Sequence, residues 1–189
     1  MEFDRQAALE AAMKLFWQLG YSATSLAQLL DVMGIGRSSF YAAFSDKRCL
    51  FVEALALFAD RTCGILLEEP GLDPPQAIER FYRYTLLSVP ARRTARGCMM
   101  VNSILELADV DDELSRLASS HLDRVERLFE ELLQRAEVDG AEMALSPRAG
   151  ARYLMTVNQG LRVAARQGRS RRELAAMLDD ALSLLPLAA

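Results

Sequence analysis

Two clusters of side chains in this sequence have the types and spacing to do chemistry. The first runs from Arg37 to Lys47. Arg37, Ser38 and Ser39 are consecutive polar groups of suitable length to reach base edges in a groove of double-stranded nucleic acid. Tyr41 follows Arg37 by one helical turn and can offer its hydroxyl to a phosphate. Lys47 comes directly after Asp46, where a helix can start, and the helix dipole opposes a cation there by about 0.3–1 kcal/mol. A lysine at that position makes sense where a phosphate arrives and the N–H groups of the helix end assist. The second cluster is Arg92-Arg93-Thr94-Ala95-Arg96-Gly97-Cys98. Three arginines and a helix N-terminus favour thiolate over thiol, and a thiolate reacts with oxidants and electrophiles. The plainer alternatives are a solvated helix face for the first cluster and a small buried thiol for the second.

No catalytic set accompanies them. The chain has one histidine, His121, no nucleotide-binding glycine loop and no His-Glu-x-x-His. An enzyme is therefore not expected, and no cofactor is called for. Cys49, Cys63 and Cys98 contain no Cys-x-x-Cys spacing, so no zinc site is expected. Copper(I) binding by Cys98, Met99 and Met100 ranks lower than thiol sensing, because neighbours on a helix point in different directions. Cys49 and Cys63 read as structural residues of one helix, about 21 Å apart along its axis, too far for a disulfide. Reduced thiols suit the cytoplasm.

Of the 189 residues, 51% are apolar and 25% charged, which excludes disorder over most of the chain. The longest apolar run, about Ala54 to Ala59, is far short of the roughly 18 residues of a membrane span. The start Met1-Glu2-Phe3-Asp4-Arg5 has no basic and apolar signal-peptide pattern. The formal net charge is −4. Any contact with nucleic acid must come from the placement of charge, not from its bulk.

The apolar residues recur at three and four throughout, which predicts an all-α chain of about nine helices. The first spans about Phe3 to Leu19, with Leu9, Ala12, Met13 and Phe16 on one face and Gly20 as its stop. Ser25 and Gln28 have capping-box spacing for a short second helix ending at Gly34. Arg37 to Phe44 is a short third helix, with Phe40 and Phe44 on its apolar side. Asp46 caps a fourth, running to about Leu67. The stretch Glu68 to Pro75 breaks the pattern. Asp73-Pro74 starts a fifth helix, ending near Val89, and Ala91 to Gly97 is a basic connector. Cys98 to Ala108 is a short apolar helix. Asp111, Asp112 and Glu113 open a long one with an inner stripe of Leu114, Leu117, His121, Val125, Leu128 and Leu132. Ser146-Pro147 begins another, through Gln167. Ser170 and Glu173 cap the last, ending near Leu185. The pattern divides near residue 46, into 1–46 and 47–189.

Two short helices joined by a glycine turn, after a supporting helix, form a helix-turn-helix pattern. The run from Thr24 to Leu50 resembles the DNA-binding signature of the TetR/AcrR family. Phe16, Gly20, Tyr21, Thr24, Leu29, Gly34, Ile35, Phe40, Tyr41, Phe44, Lys47 and Leu50 stand where that pattern wants them. Ala43, Leu30, Met33 and Gly36 depart from it. Gly36 replaces the usual serine cap of the third helix, at a cost of about a few tenths of a kcal/mol. Arg96 to Asn102 also resembles a stretch of the NemR-like, cysteine-sensing branch.

The resemblance implies a homodimeric transcriptional regulator, usually a repressor, that binds a palindromic operator and is released by a small molecule or thiol modification. Under it, 1–46 is the DNA-binding domain, with Ser25, Arg37, Ser38, Ser39, Tyr41 and Lys47 as contacts. Residues 47–189 bind ligand and dimerise. The last two helices are the implied dimer face, through Val157, Gly160, Leu161, Ala164, Ala165, Leu174, Met177, Leu178, Ala181 and Leu182. Cys98, Phe58, Phe81, Tyr84, Met99, Met100, Asn102, His121, Tyr153, Asn158 and Gln159 are the candidate sensor and cavity residues. His121, alone on an apolar stripe, reads as core or dimer contact before metal ligand. The competing reading is a helical adaptor without DNA activity, which would leave the Arg37-to-Lys47 pattern unexplained; a basic face of Arg37, Lys47 and Arg48 would support DNA binding, and a neutral one the adaptor.

Overall fold

The computed structural model describes residues 3–67 and 72–185. Among these residues, nine helices have eight residues or more. They are α1 (Arg5–Leu19), α2 (Leu26–Met33), α3 (Arg37–Phe44), α4 (Lys47–Leu67), α5 (Pro74–Tyr82), α6 (Met99–Leu107), α7 (Asp112–Val138), α8 (Pro147–Arg166) and α9 (Arg171–Ser183). Two compact units result. One joins Met1–Arg61 to Cys98–His121, and the other joins Thr62–Gly97 to Leu122–Ala189. Their boundaries fall inside α4, between Gly97 and Cys98, and inside α7. Part of the expected break at Glu68 to Pro75, and the start at Met1 and Glu2, lie outside the described residues.

In the first unit, Asp4 caps α1 by accepting the Ala7 N–H at 3.0 Å. The helix buries Ala8, Leu9, Ala12, Met13 and Phe16, the face its periodicity predicts. Gly20 ends it with φ +84°. Ser25 and Gln28 form the reciprocal capping box of α2. Gly34 closes α2 in the left-handed conformation, and the Ile35 N–H returns to the Leu30 carbonyl at 3.2 Å, completing a Schellman-type stop. Phe16, Tyr21 and Phe51 pack as an aromatic trio, with Phe16–Phe51 centroids 5.1 Å apart and Tyr21–Phe51 centroids 4.8 Å apart.

In the second unit, Asp73 caps α5 and Pro74 opens it, as its spacing predicts. Phe81, Tyr82 and Phe129 form the buried centre, with Phe81 edge-on to Phe129 at 5.2 Å. The Tyr82 hydroxyl donates to the Leu154 carbonyl at 2.6 Å, and burial pushes its pKa far up. Gly150 lets α8 approach α7, since a Cβ there would stand 2.7 Å from Leu133 Cδ1.

Three local expectations change. The fifth helix does not run on as an α-helix to Val89, but passes into a π-turn at Arg83–Leu87. The connector after Pro90 contains a helical turn, Ala91–Thr94, tied back by Thr94 Oγ1 to the Leu86 carbonyl at 3.1 Å. The inner stripe of α7 is Leu114, Ala118, Leu122, Val125, Phe129, Leu132, Leu133 and Ala136. Leu117, His121 and Leu128 lie half-buried at its edge. Leu114, Val125 and Leu132 are common to both stripes, whereas Leu117, His121 and Leu128 all fall on one flank of the buried arc, so the expected stripe takes an edge of the apolar face for its centre.

Candidate nucleic-acid interface

Helix α3 is built to hold one face still and offer the other. Phe40 and Phe44 are fully buried. Each anchor is worth about 1.5–3 kcal/mol of burial. Arg37, Ser38, Tyr41 and Ala42 are exposed on the opposite side, and Ser39 is half-buried. Tyr41 is 51% exposed while its ring meets Phe40 edge-on at 5.3 Å. The side chain is thus oriented by packing with its hydroxyl end outward. Gly36 caps α3 with an extended backbone and no side-chain hydrogen bond. Ser25 is exposed, and its Oγ accepts the Gln28 N–H at 3.2 Å, so it serves α2 as a cap.

The corner after α3 is only two residues long. Ser45 takes φ +62°, a conformation that L residues adopt at a cost, and Asp46 accepts the Cys49 N–H at 2.7 Å to cap α4. That hydrogen bond holds the Asp46 carboxyl below the usual range. The tight corner sets Lys47 directly beyond α3. Its Nζ lies 4.5 Å over the Tyr21 ring. Burial there lowers the Lys47 pKa, and the negative charge of Glu106 opposes the shift. Arg48, which sequence groups with Arg37 and Lys47 as a basic face, turns instead to Asp111 at 3.3 Å and Glu113 at 2.7 Å. Arg5 braces the far end of α3. It donates to the Ala43 carbonyl at 3.2 Å, pairs with Glu53 at 2.7 Å and covers the Phe44 ring at 4.5 Å. No periodicity marks Arg5, Glu53 or Glu106, because each acts across long sequence separations.

The candidate sensor residues divide between the units. Cys98 is buried at the N-cap of α6, followed by buried Met99 and Met100 and half-buried Asn102. None of the three cysteines is in a disulfide; Cys63 is buried and Cys49 exposed. Phe58 is half-buried, edge-on to Trp17 at 5.0 Å. In the second unit Phe81 belongs to the aromatic centre and Asn158 is buried. The Tyr153 hydroxyl donates to the Ala181 carbonyl at 2.8 Å, and Tyr84 and Gln159 are exposed. On α8 and α9, Leu161, Ala164, Ala165, Leu174 and Leu178 are buried within the chain, while Gly160, Val163 and Met177 face solvent. An open groove of about 410 Å³ lies there, lined by Ala164, Gln167, Arg169, Glu173 and Met177 among others. Among the described residues no cluster of His, Cys, Asp or Glu could hold a metal ion, and no helix is long and apolar enough to cross a membrane.

This arrangement of a capped helix, a glycine turn and a braced second helix with an outward polar face defines a helix-turn-helix regulator. Residues 8–61 match the model for bacterial regulatory proteins, tetR family. The transcriptional repressor ComR of Escherichia coli is 30% identical over 97% of this chain and 90% of its own length. The TetR family regulator CifR, solved as a cysteine mutant with a 26-bp double-strand operator DNA, is 32% identical, with a TM-score of 0.81 and 98% of each chain covered. Reduced NemR of E. coli shares the fold at 22% identity, with a TM-score of 0.83 and 98% of each chain covered. The chain belongs to the TetR family and is a transcriptional regulator, which displaces the adaptor reading.

Proposed function

We propose that this chain is a homodimeric repressor of the bacterial cytoplasm that binds a palindromic operator and is released by a small molecule or by modification of Cys98. The observation that carries the DNA-binding part is the exposed face of α3 above fully buried Phe40 and Phe44. Arg37, Ser38 and Ser39 read base edges in the major groove, while Tyr41, Lys47 and Ser25 hold phosphates. Residues 1–46, joined by Lys47 at the start of α4, carry this surface, and the rest of 47–189 carries the dimer and ligand functions. Two copies on a two-fold axis read a palindrome, and the solvent-facing Gly160, Val163 and Met177 of α8 and α9 suit the contact between copies. The release reading rests on Cys98 at the start of α6, after three arginines, with Phe58, Phe81, Tyr84, Met99, Asn102, His121 and Asn158 as further candidates for ligand contact.

The test is a titration of DNA flanking the chain's own gene with the reduced protein, before and after a mild thiol oxidant, with Cys98→Ser alongside. The expected result is palindrome binding that oxidation abolishes in the wild type but not in Cys98→Ser. Equal binding by all forms would make Cys98 structural and leave release to a pocket ligand. Absence of binding to any fragment of that DNA would count against the operator reading itself.

A further inference from the structure

We infer that Glu106 is a positioning residue for DNA binding: its carboxylate fixes the α1–α2 corner and thereby seats Tyr21 under Lys47. The inference rests on the reading of Lys47 as a phosphate contact. Glu106 stands near the end of α6, 85 residues from Tyr21 in sequence. Its Oε2 accepts the Tyr21 N–H at 3.0 Å and its Oε1 accepts the Ser22 N–H at 2.7 Å. Both oxygens therefore serve consecutive backbone donors of one corner, a charge-assisted pair stronger than two neutral bonds.

The corner is shaped to receive the carboxylate. Gly20 has φ +84°, and a Cβ added there would stand 2.9 Å from Glu106 Cδ and closer still to Oε2. Glycine suits the backbone angle, and a Cβ in its place would push the carboxylate off its present seat. Thr24 Oγ1 donates to the Gly20 carbonyl at 2.5 Å and braces the corner from the α2 side. The Tyr21 ring, whose backbone Glu106 holds, packs on Phe51 at 4.8 Å and carries Lys47 Nζ at 4.5 Å. A continuous line of contacts leads from α6 to the ammonium group beside the recognition helix. An exposed turn held only by water would leave the Tyr21 ring, and the lysine on it, less fixed.

Glu106→Gln keeps the shape, removes the charge and turns an NH2 group against a backbone donor. The test measures operator binding at several salt concentrations for wild type, Glu106→Gln, Lys47→Ala and the double variant. Thermal melts show that each is folded at the assay temperature. Amide exchange of Tyr21 and Ser22 is followed in the DNA-free protein. The expected results are faster exchange at both amides and operator binding about tenfold weaker in Glu106→Gln. The salt slope of that variant falls by roughly one phosphate's worth. In the Lys47→Ala background, Glu106→Gln then changes affinity less than about twofold, because the residue it positions is gone.

Unchanged exchange, or wild-type or tighter binding by folded Glu106→Gln, overturns the proposal. Fully additive losses in the double variant also overturn it, since Glu106 would then act independently of Lys47. If Lys47→Ala alone alters neither affinity nor slope, the phosphate reading falls first and takes the inference with it. Should Glu106→Gln fail to fold, Glu106→Asp keeps the charge but withdraws it by one methylene. Faster exchange and a partial affinity loss support the proposal, and wild-type values for both overturn it.

Discussion

The two compact units solve opposite problems with the same helical material. The first uses the eight-residue α2 and α3, set between caps and turns, to hold a few polar side chains outside an aromatic core. Asp4, the Ser25–Gln28 box, Gly34 and Asp46 each set a helix end in it. The second uses longer helices and a continuous apolar stripe, and its polar residues mainly tie helices together, as Tyr82 to Leu154 and Tyr153 to Ala181. Local signals that aim a side chain can be read from spacing. A stripe that fills a core can be read only as a stripe, and says little about what it encloses.

The sharpest break of that comparison replaces one buried ring in each unit. Phe40→Ala and Phe129→Ala should each destabilise the fold by about 3–5 kcal/mol, measured by denaturant unfolding. Only Phe40→Ala should also lose discrimination between operator and random DNA, because Phe40 seats the recognition helix. A folded Phe40→Ala protein with full discrimination would mean that α3 is not aimed by its core anchor.

Within the first unit, base readout and phosphate contact separate next. Arg37→Ala should cost about 1–3 kcal/mol on operator and little on random DNA. Lys47→Ala should weaken both alike and lower the salt slope by about one. Identical behaviour of the two variants in a salt series would erase the distinction between reader and anchor.

The smallest effects compare a missing cap with a complete one. Gly36 has ordinary extended backbone and open space around a Cβ. Gly36→Ser should therefore stabilise the first unit by about a few tenths of a kcal/mol in thermal melts. Glu173, in the box with Ser170, is held down to about 2 by the Ser170 backbone N–H, then by the Ser170 side chain and Arg169. A carboxyl lowered in the folded state stabilises fully above its ordinary pKa of 4.5 and loses that contribution as pH falls toward about 2. Glu173→Gln should be less stable than wild type at neutral pH, and the gap should close across that acid window. A pH-independent gap would remove the charge from the capping argument.

Much of the candidate site is legible before any coordinates. The outward set Arg37, Ser38, Tyr41 and the inward pair Phe40 and Phe44 follow from helical spacing, and the glycine and serine ends follow from turn chemistry. Arg48 is the instructive exception. Its charge and position suggest a basic face, yet Asp111 and Glu113 lie far along the chain and fold against it. The π-turn at Arg83–Leu87 is likewise invisible to periodicity, because one extra residue per turn does not erase an apolar pattern.

The sequence by itself determined the all-α class, the helix ends that caps and turns mark, the helix-turn-helix and the family to which the chain belongs. These depend on neighbours within a few residues, where hydrogen-bond and steric rules act directly. Tertiary structure alone decided that Glu106 holds the corner at Tyr21, that Arg5 braces α3 and that Lys47 rests on an aromatic ring. It also decided which residues of α7 to α9 are core and which are left to solvent. Those outcomes depend on groups separated by tens of residues, and only the packing of helices brings them within hydrogen-bonding distance.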